Sequence, residues 1–139
     1  MQNDFILYGY FYQHYFMKLR IRGNSIRLRL LRGEVAEFAS TGVLRESVNF
    51  GASNLIYILQ TADDANELSA KLIGNEIVVS IPPAAARDWT ETDAISLVGE
   101  QKGADGEVLK ILVEKDFVCL DRPNDKDNED AYPNISHKC

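Results

Sequence analysis

The chain has 139 residues, of which 45% are hydrophobic and 26% are charged, and it contains nine glycines, four prolines and two cysteines. This composition is typical of one soluble globular domain, and it excludes collagen-like, low-complexity and disulfide-scaffold proteins. The formal net charge of −6 argues against binding to nucleic acid or to an anionic membrane, because both need an accumulation of lysine and arginine.

The first sixteen residues differ from the rest of the chain, since they hold seven aromatic residues and neither lysine nor arginine. We interpret residues 1–16 either as the product of an upstream translation start or as an aromatic strand that covers a hydrophobic surface or mediates self-association. The segment lacks the basic region of a secretory signal, and no run reaches the roughly 20 apolar residues of a membrane-spanning helix. We therefore predict a cytoplasmic protein with reduced cysteines.

From Met17 onward apolar and polar residues alternate, which is the pattern of half-exposed β-strands. The predicted strands cover residues 18–22, 26–30, 47–50, 54–61, 68–73, 76–81, 94–100 and 107–114. Short helices are predicted over residues 33–40, with Gly42 as a stop, and over residues 84–89, with proline at the start. The strands at residues 68–73 and 76–81 form a predicted hairpin through Gly74 and Asn75. Its predicted core face consists of Leu68, Ala70, Leu72, Ile77, Val79 and Ile81.

Turn-forming residues between successive strands predict sequential hairpins. The fold class is therefore mainly β (β-rich α+β), with about eight strands in an antiparallel meander that forms a barrel or a strongly bent sheet. Neither an internal repeat nor a coiled-coil period is evident.

The first hairpin is strongly basic, with four arginines on one face: Arg20, Arg22, Arg27 and Arg29. A loop of Asn24 and Ser25 would place Arg22 opposite Arg27 and Arg20 opposite Arg29. Because like charges that face each other destabilise a sheet, this hairpin needs a counter-charge. One source is a bound phosphate or carboxylate ligand, which arginine binds well. The other is a glutamate of a neighbouring element: Glu34, Glu37, Glu107 or Glu114.

The C-terminal stretch, residues 116–139, contains both cysteines. Thiolates and neutral histidine suit zinc, copper, nickel or iron, and a loop that closes around a metal would order the tail. We predict that this tail docks onto the sheet and holds a transition metal through Cys119, Asp121, His137 and Cys139. The alternatives are a redox or disulfide pair, or a Cys119 that is only a small buried residue.

Three stretches carry a family resemblance: the opening MKLRIRGNSIRLRL at residues 17–30, VEKDFVCLDRP at residues 113–123, and a YPN tail that ends in cysteine. On these the chain resembles a bacterial family of small uncharacterised proteins. The resemblance implies no activity, but it supports a single domain over residues 17–139 that starts at Met17.

The sequence contains no nucleophile elbow, phosphate loop, dinucleotide-binding fingerprint or zinc-protease motif, and we assign no catalytic residue. Three functions remain open. The first is a metal-binding protein that uses the C-terminal thiols. The second is an anion-binding module, or a small phosphate-handling enzyme, that uses the arginine hairpin. The third is an interaction protein, which binds a partner or a second copy through the aromatic segment or an open sheet edge.

Overall fold

The computed structural model describes residues 16–117 and 130–133. Eight strands and two helices follow one another: β1 (Lys18–Arg22), β2 (Ser25–Leu30), α1 (Arg32–Thr41), β3 (Val43–Asn49), β4 (Asn54–Thr61), β5 (Ser69–Ile73), β6 (Glu76–Ile81), α2 (Pro83–Glu91), β7 (Ser96–Lys102) and β8 (Val108–Lys115). The predicted mainly β class with two short helices is confirmed. Within the described ranges, no helix is long and apolar enough to cross a membrane.

The strands form two four-stranded sheets, with the orders β1-β2-β8-β7 and β3-β4-β6-β5. Each sheet consists of two antiparallel hairpins, joined by a parallel pair: β2 with β8, and β4 with β6. The predicted antiparallel meander is therefore wrong, because the first sheet joins the first hairpin to the last. Backbone pairing among the described strands closes no barrel.

The two halves of the chain repeat one order of elements: hairpin, helix, hairpin. A spacing of 51 residues relates the first hairpin and the helix of each half, so that the turn at Gly23 and Asn24 corresponds to the turn at Gly74 and Asn75. Backbone hydrogen bonds recur at equivalent positions: Lys110 donates to Asn24 as Ile56 donates to Asn75. The chain therefore contains an internal repeat, contrary to our expectation from the sequence.

The two helices meet where the halves meet. Phe38 of α1 and Trp89 of α2 are equivalent residues, both are completely buried, and their rings pack edge to face with centroids 6.4 Å apart. A residue that packs against its own equivalent lies near the axis that relates the two halves. Each half contributes one hairpin to each sheet, so the halves are intertwined around a shared core.

The helix boundaries follow from the residues that begin and end them. Gly42 has a left-handed φ of +78°, and its N–H donates to the Phe38 carbonyl at 2.8 Å, which ends α1 as predicted. Pro83 lies in the first turn of α2, where the absence of an N–H has no consequence for the helix. Both helices connect the two sheets at the end opposite the hairpin turns.

The first hairpin has a different register from the one predicted. Gly23, at φ +54°, occupies the turn together with Asn24. The observed pairs are Lys18 with Arg29, Arg20 with Arg27, and Arg22 with Ser25. The predicted pairing was off by two residues, and every side chain keeps its predicted face because the faces of a strand repeat every two residues.

One predicted core residue is not in the core. Leu68, Ala70, Val79 and Ile81 are buried, but Leu72 is 72% exposed, and its equivalent in the first half, Ile21, is 61% exposed. Both lie next to hairpin turns, where the strands extend beyond the packed interior. The alternation of apolar and polar residues predicted the correct face for Leu72, but burial also depends on the position along the strand.

Side chains bridge the two gaps between the sheets, which we call seams. At the seam between β1 and β3, the Met17 N–H donates to Glu46 Oε2 at 2.8 Å, and the Tyr57 hydroxyl donates to the Met17 carbonyl at 2.6 Å. At the seam between β5 and β7, the Gln101 amide makes both bonds with the backbone of Ala70, at 3.0 and 2.7 Å. The sheets are thus held together by side chains where no backbone ladder joins them.

Candidate functional site

The first hairpin and its neighbour β8 present a basic face to solvent. Three rows of side chains cross this face: Lys18, Arg29 and Glu114; Arg20, Arg27 and Leu112; and Arg22, Ser25 and Lys110. The rows contain six cations and one carboxylate, in a protein whose net charge is −6. We call these nine residues the basic face.

The single carboxylate of the basic face is shared by two arginines. The Nε atom of Arg29 lies 2.7 Å from Glu114 Oε1, and the Nε atom of Arg27 lies 3.6 Å from the same oxygen. A glutamate of the last strand therefore neutralises part of the hairpin, which is the alternative to a bound anion that the sequence offered. One negative charge facing two guanidinium groups leaves a net positive charge at β2.

The arginines of β1 are differently placed. Arg20 and Arg22 are exposed on a strand at the edge of its sheet, and no residue in the described ranges forms an ion pair with either guanidinium. Arg20 faces Arg27 across the hairpin, so repulsion between them is unrelieved on the β1 side. The structure thus brings all four predicted anion-binding arginines to one face and leaves two of them without an internal partner there.

The predicted metal ligands Cys119, Asp121, His137 and Cys139 lie outside the described residues, as does most of the aromatic segment at residues 1–16. Among residues 16–117 and 130–133, no group of three histidine, cysteine, aspartate or glutamate residues is arranged to hold a metal ion. Two described residues flank the stretch that carries the first thiol. Phe117 and Tyr132 form a parallel β-bridge, and their rings pack edge to face with centroids 5.8 Å apart.

A buried carboxyl group lies beneath the N-terminus of α1. Glu34 is only 5% exposed, and its Oε1 accepts the Leu31 N–H at 2.9 Å. The pKa of Glu34 is raised to about 8, chiefly by burial; the Leu31 N–H lowers it, and the nearby carboxylates of Glu46, Asp130 and Glu37 contribute to the rise. Glu34 is therefore mostly protonated at neutral pH.

Glu34 belongs to a polar cluster that only the first half of the chain has. Burial raises the pKa of Glu46. Burial also raises the pKa of the Tyr57 hydroxyl, and the neighbouring carboxylates of Glu46 and Glu34 raise the pKa of this hydroxyl as well. The equivalent residues of the second half are Ala85 for Glu34, Gly99 for Glu46 and Ile111 for Tyr57. Because the second half builds the same elements without these polar groups, the fold itself does not require them.

From its sequence, Glu34 is predicted only as a partner for arginine, and its burial is not predicted. A signal was present, since Glu34 lies three residues after Leu31 and four before Phe38. Residues at these spacings share one face of a helix, and both of these neighbours are buried. A glutamate on the apolar face of a short helix therefore predicts a buried carboxyl group.

Lys115, at the end of β8, is a buried cation that the sequence analysis did not single out. It is 6% exposed, its Nζ donates to the Thr92 carbonyl at 2.9 Å, and it lies 5.7 Å from the Trp89 ring centroid and 5.5 Å from that of Tyr132. Burial lowers its pKa, although Asp93 acts in the opposite direction. The aromatic rings offer favourable cation–π contact to an ammonium group that has left water.

A cavity of about 320 Å³ lies between the two helices, with Phe38, Gly42, Thr61 and Ala86 among its lining residues. Its charged residues are Arg87 and Glu91, one turn apart on α2. This volume is at the lower end of the range for small-molecule sites. No residue that the sequence analysis proposed as a ligand lines it.

Comparison with known proteins assigns the chain to a family, but it finds no relative whose activity is known. No curated protein and no solved structure shows a significant match to it. A family profile, in contrast, matches residues 17–136, which include the basic face, both seams and residues 130–133. The match begins at Met17, where the strand pattern of the sequence begins, and it covers most of the chain. The chain therefore belongs to the family of unknown function DUF7009.

Proposed function

We propose that this protein is a binding module that holds an anionic partner on its basic face. The observation that carries the proposal is the unequal pairing of the four arginines. Arg27 and Arg29 share Glu114, whereas Arg20 and Arg22 have no internal counter-ion among the described residues. An external anion would relieve the repulsion across the hairpin.

The chemistry of the ligand follows from the two unpaired side chains. Arg20 and Arg22 are two residues apart on one strand face, which separates their attachment points by roughly 6.5 Å. Guanidinium groups form paired hydrogen bonds with phosphate and carboxylate groups. The face therefore fits a partner with at least two such groups, which is either an oligophosphate or an acidic protein segment.

Titration calorimetry at low ionic strength tests this proposal with two probes, tripolyphosphate and a glutamate-rich peptide. We expect at least one probe to bind, and the stronger of the two identifies the anionic group. The variant Arg20→Gln/Arg22→Gln should bind at least roughly tenfold more weakly, because a hydrogen bond to a charged group contributes about 1.5–3 kcal/mol. Added salt should weaken binding to the wild type.

Lys71 provides a matched control, because it is the equivalent of Arg20 on the edge strand β5 and is also exposed. Lys71→Gln removes a positive charge from the same kind of position on the other sheet and should leave binding unchanged. The single variant Arg20→Gln removes one positive charge, as Lys71→Gln does, and should weaken binding. Equal losses in these two single variants would show a response to net charge alone and would contradict the proposal, as would the absence of binding by both probes.

A metal centre in the C-terminal stretch is the second candidate function. The bridge between Phe117 and Tyr132 supports it, because Cys119 follows one of these residues by two positions and Cys139 follows the other by seven. At about 3.3–3.6 Å per residue, both thiols can reach one point beyond the bridge. Zinc, copper, nickel or iron would be the ion held, with His137 and Asp121 as further ligands.

Elemental analysis of protein purified without a histidine tag tests the metal centre. We expect one bound transition metal per chain, lost in Cys139→Ala and retained in His14→Ala, which alters the other histidine of the sequence. Metal-free wild-type protein, or metal retained by Cys139→Ala, would contradict this second candidate.

A further inference from the structure

The chain fills a groove on its own surface with residues from its C-terminal region. Residues 130–133, which we call the strap, lie against the N-terminus of α1 and the end of β8. The Asp130 carbonyl accepts the Arg32 N–H at 2.9 Å, and Asp130 Oδ2 accepts the Gly33 N–H at 2.7 Å. The first N–H groups of a helix lack acceptors within the helix, and the side chain of Leu31, which precedes α1, cannot supply one. Asp130 therefore caps α1 from 97 residues away.

The second anchor of the strap is Tyr132. Its N–H donates to the Asp116 carbonyl at 2.8 Å. Its ring lies 5.6 Å from the Arg32 guanidinium and 5.5 Å from Lys115 Nζ, and it packs edge to face on Phe117. The groove thus offers helix N–H groups to the carboxylate of Asp130. Two residues further along, it offers two cations and the edge of an aromatic ring to the ring of Tyr132.

The other half of the chain shows that the fold does not need a strap. Ala62 is the equivalent of Asp116, since each donates its N–H to the end of the neighbouring parallel strand. The Ala62 carbonyl is satisfied locally by the Ala65 N–H at 3.1 Å. The helix at that end begins with Pro83, which has no N–H to cap. Two of the groups that the strap satisfies, the Asp116 carbonyl and the Arg32 N–H, therefore have equivalents in the other half that need no distant partner.

We propose that this groove is a recognition site for an extended segment of another protein with the pattern Asp-x-Tyr, and that the strap occupies it as an internal competitor. The positive end of α1, Arg32 and Lys115 complement an acidic and aromatic segment. The contacts described for the strap are made to α1, to Lys115 at the end of β8 and to Asp116 and Phe117 directly after it. A separate chain can make the same contacts. A tethered competitor acts at an effective concentration of about a millimolar, so the strap makes the groove selective for tight-binding partners.

A peptide of residues 128–135 is the probe, and the full-length variant Asp130→Ala/Tyr132→Ala is the receptor with an emptied groove. Titration calorimetry should show saturable binding, at least roughly tenfold tighter than to the wild type, where the strap competes. Peptides in which alanine replaces the aspartate or the tyrosine should bind more weakly. Trp89 fluorescence gives a second readout, because Lys115 lies between this ring and the groove.

The single variant Tyr132→Leu keeps the helix cap and serves if the double variant does not fold. Equal binding of a scrambled peptide, or no binding to either folded variant, would overturn the proposal. Dimerisation of the wild type that disappears in the double variant would assign the groove to a second copy of this chain and would overturn the proposal of a separate partner.

Discussion

The buried carboxyl group of Glu34 makes the stability of this protein depend on pH in a way that one substitution should abolish. Glu34 is 5% exposed, and its pKa in the folded state is about 8, against 4.5 for a glutamate in water. The folded state therefore holds this proton more tightly than the unfolded chain does. The resulting stability is fully present below pH 4.5, falls as the pH rises towards 8, and changes little above that.

The magnitude follows from the width of this window. Each pH unit between the two pKa values changes the free energy of unfolding by about 1.4 kcal/mol. The loss is therefore about 3 kcal/mol by pH 7 and about 5 kcal/mol across the whole window. Against a total stability of about 5–15 kcal/mol for an ordinary domain, this is a large fraction.

The variant Glu34→Gln removes the titration and keeps an oxygen that accepts the Leu31 N–H. We expect the variant to be more stable than the wild type at neutral and alkaline pH, by a difference that grows from pH 5 to pH 8. Urea denaturation at intervals of one pH unit measures this difference, with the fluorescence of Trp89 as the probe. This residue is the only tryptophan, and it packs against Phe38 of the same helix as Glu34.

Glu91→Gln is the matched control, because Glu91 is an exposed glutamate on α2. Its stability should follow that of the wild type at every pH. A difference between Glu34→Gln and the wild type that stays constant within about 0.5 kcal/mol from pH 5 to pH 8 would refute the reasoning, since a shifted pKa must appear as a slope.

Three further substitutions test the seams, each by urea denaturation, with the exposed-strand variant Ser47→Ala as a neutral control. Tyr57→Phe should lower the free energy of unfolding by about 1–3 kcal/mol, because a buried backbone carbonyl loses its donor. Gln101→Leu should lower it by a similar amount, about 1–3 kcal/mol, since both backbone groups of Ala70 lose their partner. Gly99→Ala should lower it by about 1–3 kcal/mol, because an added Cβ would lie 3.0 Å from the Leu68 carbonyl oxygen. Unchanged stability in any of them would contradict the described contact.

The sequence predicted the local structure of the fold well because the signals are local. The alternation of Leu19 and Ile21 with arginines, and the glycine and asparagine at two of the turns, predict hairpins without reference to the rest of the chain. The pairing of β2 with β8 has no such local signal. It depends on packing between segments 85 residues apart in sequence, and the sequence of neither strand specifies its neighbour.

The repeat was not predicted from the sequence because equivalent positions in the two halves are buried in the same way but are mostly occupied by different residue types. Phe38 corresponds to Trp89, and Leu28 corresponds to Val79. Volume and hydrophobicity suffice for such positions in a core, so the side chains of the two halves differ while the backbone hydrogen bonds coincide. The turn glycines Gly23 and Gly74 are among the few equivalent residues that are identical, because the left-handed φ at these positions restricts the choice of residue.

The candidate site was predictable in part. The face shared by the four arginines follows from the two-residue period of strands, and Glu114 was one of four glutamates offered as their counter-charge. Which glutamate pairs with the arginines depends on β8 lying beside β2, and this pairing is non-local. The strap contacts depend on Asp130 lying beside α1, for which the sequence between them carries no spacing rule.

The placement of the first hairpin beside the last has a consequence for synthesis on the ribosome. Arg29 meets Glu114, 85 residues later in the chain, so at about 5–20 residues per second the first hairpin waits roughly 4 to 17 seconds for its neighbour. The second sheet, whose strands lie in the contiguous stretch between Val43 and Ile81, can assemble in the meantime. During that interval both edges of the first hairpin are unpaired, and its arginines help to keep the nascent chain from pairing with other strands.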